Sequence, residues 1–214
     1  MLRYIRPISF FCPKKRGLCT MNYELTPLLK TYGFLFSKPQ FNHFKCIITG
    51  LSACEKSSIS RISELHDKDR SCLNRFLTDS PWCVQSVKST YHKQVMPFIS
   101  YGSSLLIDDT NSKRPYAKAV EKANYHFDHT SGSQVKGYCL VTSTVYSNGR
   151  TIPYDLVSYY REEDCTNVQF KTKNQIARDM ILSTSNNPRI TEIIFDTWYS
   201  NEVVINACKQ AGKN

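Results

Sequence analysis

Two apolar runs lead directly into aspartate. Leu105-Leu106-Ile107 is followed by Asp108-Asp109-Thr110, and Ile193-Ile194-Phe195 by Asp196. Short apolar runs of this kind read as buried strands, and in open α/β sheets ligands gather at the carboxyl ends of neighbouring strands. If the two strands are parallel neighbours, their aspartates meet on one rim. Paired carboxylates repel unless a cation lies between them, and Mg²⁺ or Mn²⁺ takes oxygen donors. Two such ions would activate an attacking oxygen and stabilise the leaving one in phosphodiester chemistry. Side chains alternate across a strand, so only one of Asp108 and Asp109 faces inward. Spacing alone leaves the plain alternative open, in which each aspartate merely ends a strand or caps a turn.

Other reactive residue types are weaker candidates. His126 and His129 flank Phe127-Asp128 without a third and fourth ligand nearby, which reads as a polar loop. Gly132 and Gly137 are spaced like part of a phosphate loop, but the Lys-Ser/Thr ending is absent. Nine scattered cysteines, an odd number without C-x-x-C pairs, read as reduced and mostly buried thiols. Trp198 and Tyr199 are placed either to stack on a displaced base or to pack beneath the sheet rim. Lys113, four residues past Asp109, is either a phosphate contact or a solvated lysine.

The elements that must position the aspartates follow from the pattern. Tyr138–Tyr146 alternates and is rich in β-branched residues. Asn148-Gly149 supplies the two positive-φ positions of a tight hairpin, and Thr151–Tyr160 returns as the partner strand. Pro153 cannot donate to a ladder, so that strand belongs at a sheet edge. Thr172-Lys173-Asn174-Gln175 reads as a capping box opening a helix with Ile176, Met180 and Ile181 on one face. A last helix should turn Val203, Val204, Ala207 and Cys208 inward. Strand, hairpin, helix, strand, helix predicts a mixed α/β sheet.

The first hundred residues have a different texture. Ile59, Ile62 and Leu65 recur at helical spacing, as do Leu73, Phe76 and Leu77 after the polar stretch His66–Ser71. Ser57 or Ser58 would cap the first helix, and Pro81 closes the second. Two short helices around a polar turn, bearing Lys56, Arg61, Lys68, Arg70 and Arg75, are compatible with a helix-turn-helix, or with any small helical bundle. Charge agrees with a polyanionic partner. The net is +10 over 214 residues, of which +9 falls in residues 1–107 (15 basic, 6 acidic) and +1 in the rest (13 basic, 12 acidic). The alternative is a solvated basic face.

These residues together resemble the DDE transposases of bacterial and archaeal insertion sequences. Leu106-Ile107-Asp108-Asp109-Thr110 with Lys113 is similar to the first-aspartate motif, followed by Asp128–Gly132, Gly137 and Val141-Thr142. Asn148–Pro153 matches the hairpin, and Phe170–Lys173 precedes its helix. Phe195-Asp196-Thr197-Trp198-Tyr199-Ser200 is similar to the second-aspartate motif. Upstream, Thr49-Gly50-Leu51, Leu73–Leu77 and Ser80-Pro81-Trp82 look like the helices before that core. The resemblance covers about residues 40–212. It implies an incomplete ribonuclease H-like mixed sheet over residues 101–214, preceded by a helical DNA-binding region over 21–100 and a disordered extension over 1–20. It assigns Asp109, the aspartate immediately before the threonine, and Asp196 as ligands of Mg²⁺ or Mn²⁺ that cleave DNA and transfer the strand. Lys56, Arg61, Arg70, Arg75 and Lys113 become the DNA contacts.

The family's third acidic residue, a downstream helical glutamate, has no counterpart before Asn214, and Glu202 does not match it. The expectation is therefore a truncated transposase, inactive alone. The rivals are a non-catalytic DNA-binding protein derived from a transposase and, less favoured, a small metal-dependent nuclease. The partner is double-stranded DNA, at the element's ends and at the target, and assembly as a homo-oligomer is compatible with it. No apolar run approaches the roughly 18 residues of a membrane span. The expected location is the cytoplasm of a prokaryote, at the nucleoid.

Overall fold

The computed structural model describes residues 20–54, 58–116, 122–128, 132–165 and 169–214. The expected N-terminal extension (but for Thr20), Lys56 and His129 lie outside them. The chain forms two compact units, Met1–Gln94 and Val95–Asn214.

The first unit is helical: α1 (Thr20–Lys30), α2 (Lys38–Ala53), α3 (Ile59–His66), α4 (Arg70–Thr78) and α5 (Val84–Val95). Local chemistry sets the ends. Ser58 caps α3 by accepting the Arg61 N–H at 3.2 Å, and Asp69 caps α4 by accepting the Ser71 N–H at 2.6 Å. Between them Asp67 takes the left-handed conformation (φ 47°) that ends α3. The apolar stripes bury Ile62, Leu73 and Phe76 against Leu29, Tyr32, Phe36, Phe44 and Ile47. Leu77 departs from the expected face and is exposed. Phe36 stacks on Phe44 with centroids 4.8 Å apart, and Trp82 stacks on Phe76 at 5.8 Å while its indole N–H donates to the Phe76 carbonyl. Gly50 lets α2 and α3 close on each other: a Cβ there would lie 2.7 Å from Ile62 Cγ2.

The second unit is a five-stranded mixed sheet with two helices. Its strands are β1 (Ser103–Lys113), β2 (Asn124–Asp128), β3 (Ser133–Ser147), β4 (Arg150–Tyr159) and β5 (Ile190–Phe195). Central β1 pairs antiparallel with β3 and parallel with β5. On its far side β3 takes β2 near its start and β4 along the rest. β4, which carries Pro153, pairs with β3 alone. Asn148 (φ 48°) and Gly149 (φ 76°) form the hairpin turn. Helix α6 (Lys173–Ser183) packs on the sheet and α7 (Glu202–Ala211) packs on α6; Leu105, Ile107, Val141 and Val145 share one sheet face and are buried, as are Ile176, Ala177, Ile181, Val204 and Ala207 of the helices. The opposite face carries Leu106 and the exposed Tyr146, Leu156 and Ile194.

Three details depart from the sequence reading. β1 continues through Thr110-Asn111-Ser112 to Lys113, because the β3 ladder runs on to Lys113–Gly137 after the β5 ladder stops at Ile107–Phe195. Asp108 and Asp109 are therefore mid-strand; only Asp196 follows a strand end. His126-Phe127-Asp128, read as part of a polar loop, belongs to β2, the edge strand against β3. On α7 Val203 is 41% exposed, and Ala211 takes the buried position instead.

Candidate active site

The end of the β1–β5 ladder gathers three carboxylates. Asp109 alternates with Leu105 and Ile107 and so faces the helical layer. Asp108 alternates with Leu106 and faces the open side, one step beyond the Ile107–Phe195 pair and level with Asp196. Both β1 aspartates are thus placed by the strand, on opposite faces.

Asp109 is fully engaged. Its Oδ2 accepts from Lys173 Nζ at 2.7 Å and from the Cys139 thiol at 3.6 Å, and its Oδ1 accepts from the Tyr199 hydroxyl at 3.3 Å. Lys173 is the first residue of α6. Thr172 anchors it there by accepting the Gln175 N–H at 3.2 Å, while the Thr172 N–H donates to Gln175 Oε1 at 2.9 Å. The Lys173 ammonium also lies over the rings of Trp198 (5.4 Å) and Tyr159 (5.7 Å). Burial opposes its charge, but the hydrogen bond to Asp109, with Cys139 beside it, outweighs burial and holds the amine above its ordinary range. Burial, then the Asp109 charge and hydrogen bond, push the Tyr199 phenol far up, so it stays a donor.

Asp196 serves the loop that follows it. Its Oδ1 accepts the backbone N–H groups of Trp198 (3.0 Å) and Tyr199 (3.4 Å), capping the single 3₁₀ turn Thr197–Tyr199. Tyr199 therefore bonds both expected ligands, Asp109 through its hydroxyl and Asp196 through its amide. It is completely buried beneath the rim, whereas Trp198 is 54% exposed. Asp108 sits between the other two carboxylates. Desolvation pushes it above the usual carboxylate range. The Asp109 N–H opposes that rise, the Asp109 and Asp196 charges add to it, and Lys173 offsets part of it.

The donors fit a hard divalent ion in type, because every carboxylate here offers oxygen, and Mg²⁺ is commonly held by one or two carboxylates with water completing its shell. The Lys173 ammonium stands on Asp109 Oδ2 at 2.7 Å and would have to yield that oxygen to an ion. Among the described residues, no three His, Cys, Asp or Glu side chains are grouped closely enough to form a larger cage.

The remaining expected contacts are elsewhere. Lys113 ends β1, four residues or roughly 13 Å of strand beyond Asp109 and on the same face. Arg61, Arg70 and Arg75 are exposed on α3 and α4 of the helical unit; Arg61 pairs with Glu64 at 3.0 Å, and Arg75 donates to Cys72 Sγ. Gly137 serves strand packing, since a Cβ there would collide with the Ser112 carbonyl. Seven cysteines are described and all are free thiols, but only Cys139 is buried, a correction to the expectation of mostly buried thiols. Sequence reading passed over Lys173 and Cys139 as site residues. The signal available for Lys173 was its place directly after a capping threonine.

A mixed sheet whose central strand runs antiparallel to a hairpin and parallel to a crossover strand, with acidic residues where the parallel pair ends, is a ribonuclease H-like α/β fold. The chain belongs to the DDE superfamily endonucleases, whose family profile matches residues 32–212. Membership gives a nuclease of the transposase type with DNA as its substrate. A search of curated proteins finds no match. No helix among the described residues is long and apolar enough to cross a membrane.

Proposed function

We propose that this protein is a DNA transposase of insertion-sequence type, cutting and joining DNA strands at the rim where β1 meets β5. The observation that carries this reading is that Asp109 and Asp196 lie where two adjacent parallel strands stop pairing and both bond Tyr199, Asp109 at its hydroxyl and Asp196 at its backbone N–H. In it Asp109 and Asp196 hold Mg²⁺ or Mn²⁺, which when bound supplies the activation of water or a 3′-hydroxyl for attack on phosphorus. Tyr199 orients Asp109, and the Asp196 cap fixes the loop beneath it. Two carboxylates hold an ion weakly, so the chain alone is a poor catalyst. Arg61, Arg70, Arg75, Lys56 and Lys113 contact DNA phosphates, and the working form is a nucleoid-bound oligomer in a prokaryotic cytoplasm.

One observation favours a second assignment within the same function. Asp108 is level with Asp196 and feels its charge, while Asp109 is occupied by Lys173. In that version Asp108 takes the place of Asp109 as the ligand.

The test is nicking of supercoiled DNA carrying terminal inverted repeats, with Mn²⁺ or EDTA. Metal-dependent nicking lost in Asp196→Asn and in Asp109→Asn supports the first assignment; loss in Asp108→Asn with Asp109→Asn active supports the second. Salt-sensitive DNA binding without nicking, indifferent to all three, assigns the chain as a DNA-binding protein and overturns the enzymatic reading.

A further inference from the structure

The helical unit contains a cleft of about 510 Å³ for which the rim chemistry has no use. One wall is the α2 stripe Asn42, Lys45, Cys46 and Thr49, whose spacing places them on one helical face. A second is His66 and Lys68, where α3 ends, and Thr26 and Leu29 of α1 complete the lining. The left-handed Asp67 turns the chain there, and the Lys68 N–H closes on the Ser63 carbonyl at 2.9 Å, so Lys68 is fixed by a helix terminus.

The walls are tied together. Thr49 Oγ1 donates to the Lys45 carbonyl at 2.7 Å and lies 3.0 Å from His66 Nε2, which links α2 to the end of α3. The Lys45 ammonium rides over the Phe41 ring at 4.9 Å. Burial pushes the Cys46 thiol up while Lys68 and Lys45, which line the same cleft, pull it down. Burial and Lys68 together hold His66 below the ordinary imidazole range.

Among the described residues no carboxylate lines this cleft. Two lysines and Asn42 are among the lining residues with no counter-charge beside them, so its ligand is an anion with several acceptor oxygens. Nothing in the lining offers the Phe, Tyr or Trp platform on which a nucleobase stacks, which argues for a backbone phosphate over a free nucleotide. We infer that the cleft between α2 and the end of α3 seats one phosphodiester of the DNA backbone, held by Lys45 and Lys68. Such a contact reads no sequence; it sets where the helical unit sits along a strand.

The inference rests on the DNA partner of the proposed function and is independent of its chemistry, so it is tested in EDTA. Fluorescence anisotropy of the full chain on labelled duplexes of two unrelated sequences gives log K against log salt. Each neutralised phosphate contributes roughly 0.9 to that slope. The pair Lys45→Gln/Lys68→Gln should lower the slope by about one on both duplexes, and Lys45→Arg/Lys68→Arg should restore it. A slope unchanged in the glutamine pair overturns the inference, as does an arginine pair that fails to restore it. Titration with inorganic phosphate, followed by the His66 ring proton signals, separates the other source: saturation by phosphate with an unchanged DNA slope assigns the cleft to a free anion. A chain that binds DNA with these slopes but never nicks it sinks the enzymatic reading alone. One that nicks with an unaltered slope in the glutamine pair sinks this inference alone.

Discussion

Replacing Lys173 with methionine keeps an unbranched stem in place and removes the ammonium from Asp109. The two side chains are 23% and 26% exposed, so the pair lies between two regimes. Exposed pairs contribute about 0–1 kcal/mol, and breaking a fully buried pair costs about 3–5 kcal/mol. A loss of about 2 kcal/mol is expected, because Asp109 keeps the Tyr199 hydroxyl and the Cys139 thiol. The sheet unit runs from Val95 to Asn214. At roughly 2.1 cal/mol/K per residue its unfolding entropy implies a Tm lower by about 8 °C. The assay is thermal unfolding in EDTA, followed by near-ultraviolet circular dichroism. The contribution has a defined pH window. A lysine held above its ordinary value stabilises fully below the unfolded pKa of about 10.4 and loses that stabilisation as pH rises through the folded value. The gap between variant and parent should therefore be constant from pH 7 to 9 and close at higher pH. Asp109→Asn/Lys173→Met should be less damaging than the sum of its parts, with a coupling of about 1–2 kcal/mol. A Tm within 2 °C of the parent, on the order of 0.5 kcal/mol by the same entropy, or strict additivity in the double variant, refutes the claim that this pair organises the rim.

Three further outcomes follow from the same geometry. A divalent ion held by Asp109, as proposed, would compete with the Lys173 ammonium for Oδ2, so Lys173→Met should bind Mn²⁺ about tenfold more tightly, a difference of about 1.4 kcal/mol readable by EPR titration. Asp109→Asn should erase that gain, and its persistence would assign the ion to Asp108. Gly50→Ala places a Cβ 2.7 Å and 2.8 Å from the two Ile62 γ-carbons. Overpacking of about 1–3 kcal/mol then exceeds the helix-propensity gain of about 1 kcal/mol, so the urea midpoint falls; a midpoint that rises would contradict the close α2–α3 approach. The Asp108 carboxyl is held above its usual range, so the folded chain binds its proton more readily than the unfolded chain does. Asp108→Asn should accordingly raise Tm at pH 7, and the advantage should vanish below the unfolded value of about 3.9. A Tm gain independent of pH would point to packing in place of charge.

Local chemistry is where sequence reading succeeded. The Asn148-Gly149 turn needs two positive φ values, and few other residue pairs supply them. Thr172 with Gln175 announces the start of α6, and the Ile59–Ile62 and Leu73–Phe76 spacings announce α3 and α4. Wherever a neighbour decides, the chain alone is silent. Thr110-Asn111-Ser112 has no strand pattern and is extended because β3 continues opposite it. Asn124–Asp128 does alternate, with Tyr125 and Phe127 between polar residues, but it is short and both aromatics are exposed, so pairing with β3 and not burial makes it a strand. The facing of Asp108 and Asp109 could be stated only as a choice of one, and the structure resolves it by the phase of Leu105 and Ile107. The Lys173–Asp109 contact joins residues 64 apart in sequence, and no spacing rule reaches that far.

The chain has two tryptophans, and they fall one to each unit. Trp82 is stacked on Phe76 within the helical core, while Trp198 stands half open to solvent beneath an ammonium. Trp82→Phe therefore converts the intrinsic emission of the whole protein into a single optical gauge of the carboxylate rim. Anything that draws Lys173 away from the indole, whether divalent ion or nucleic acid, will register as a change in the colour or brightness of that one fluorophore.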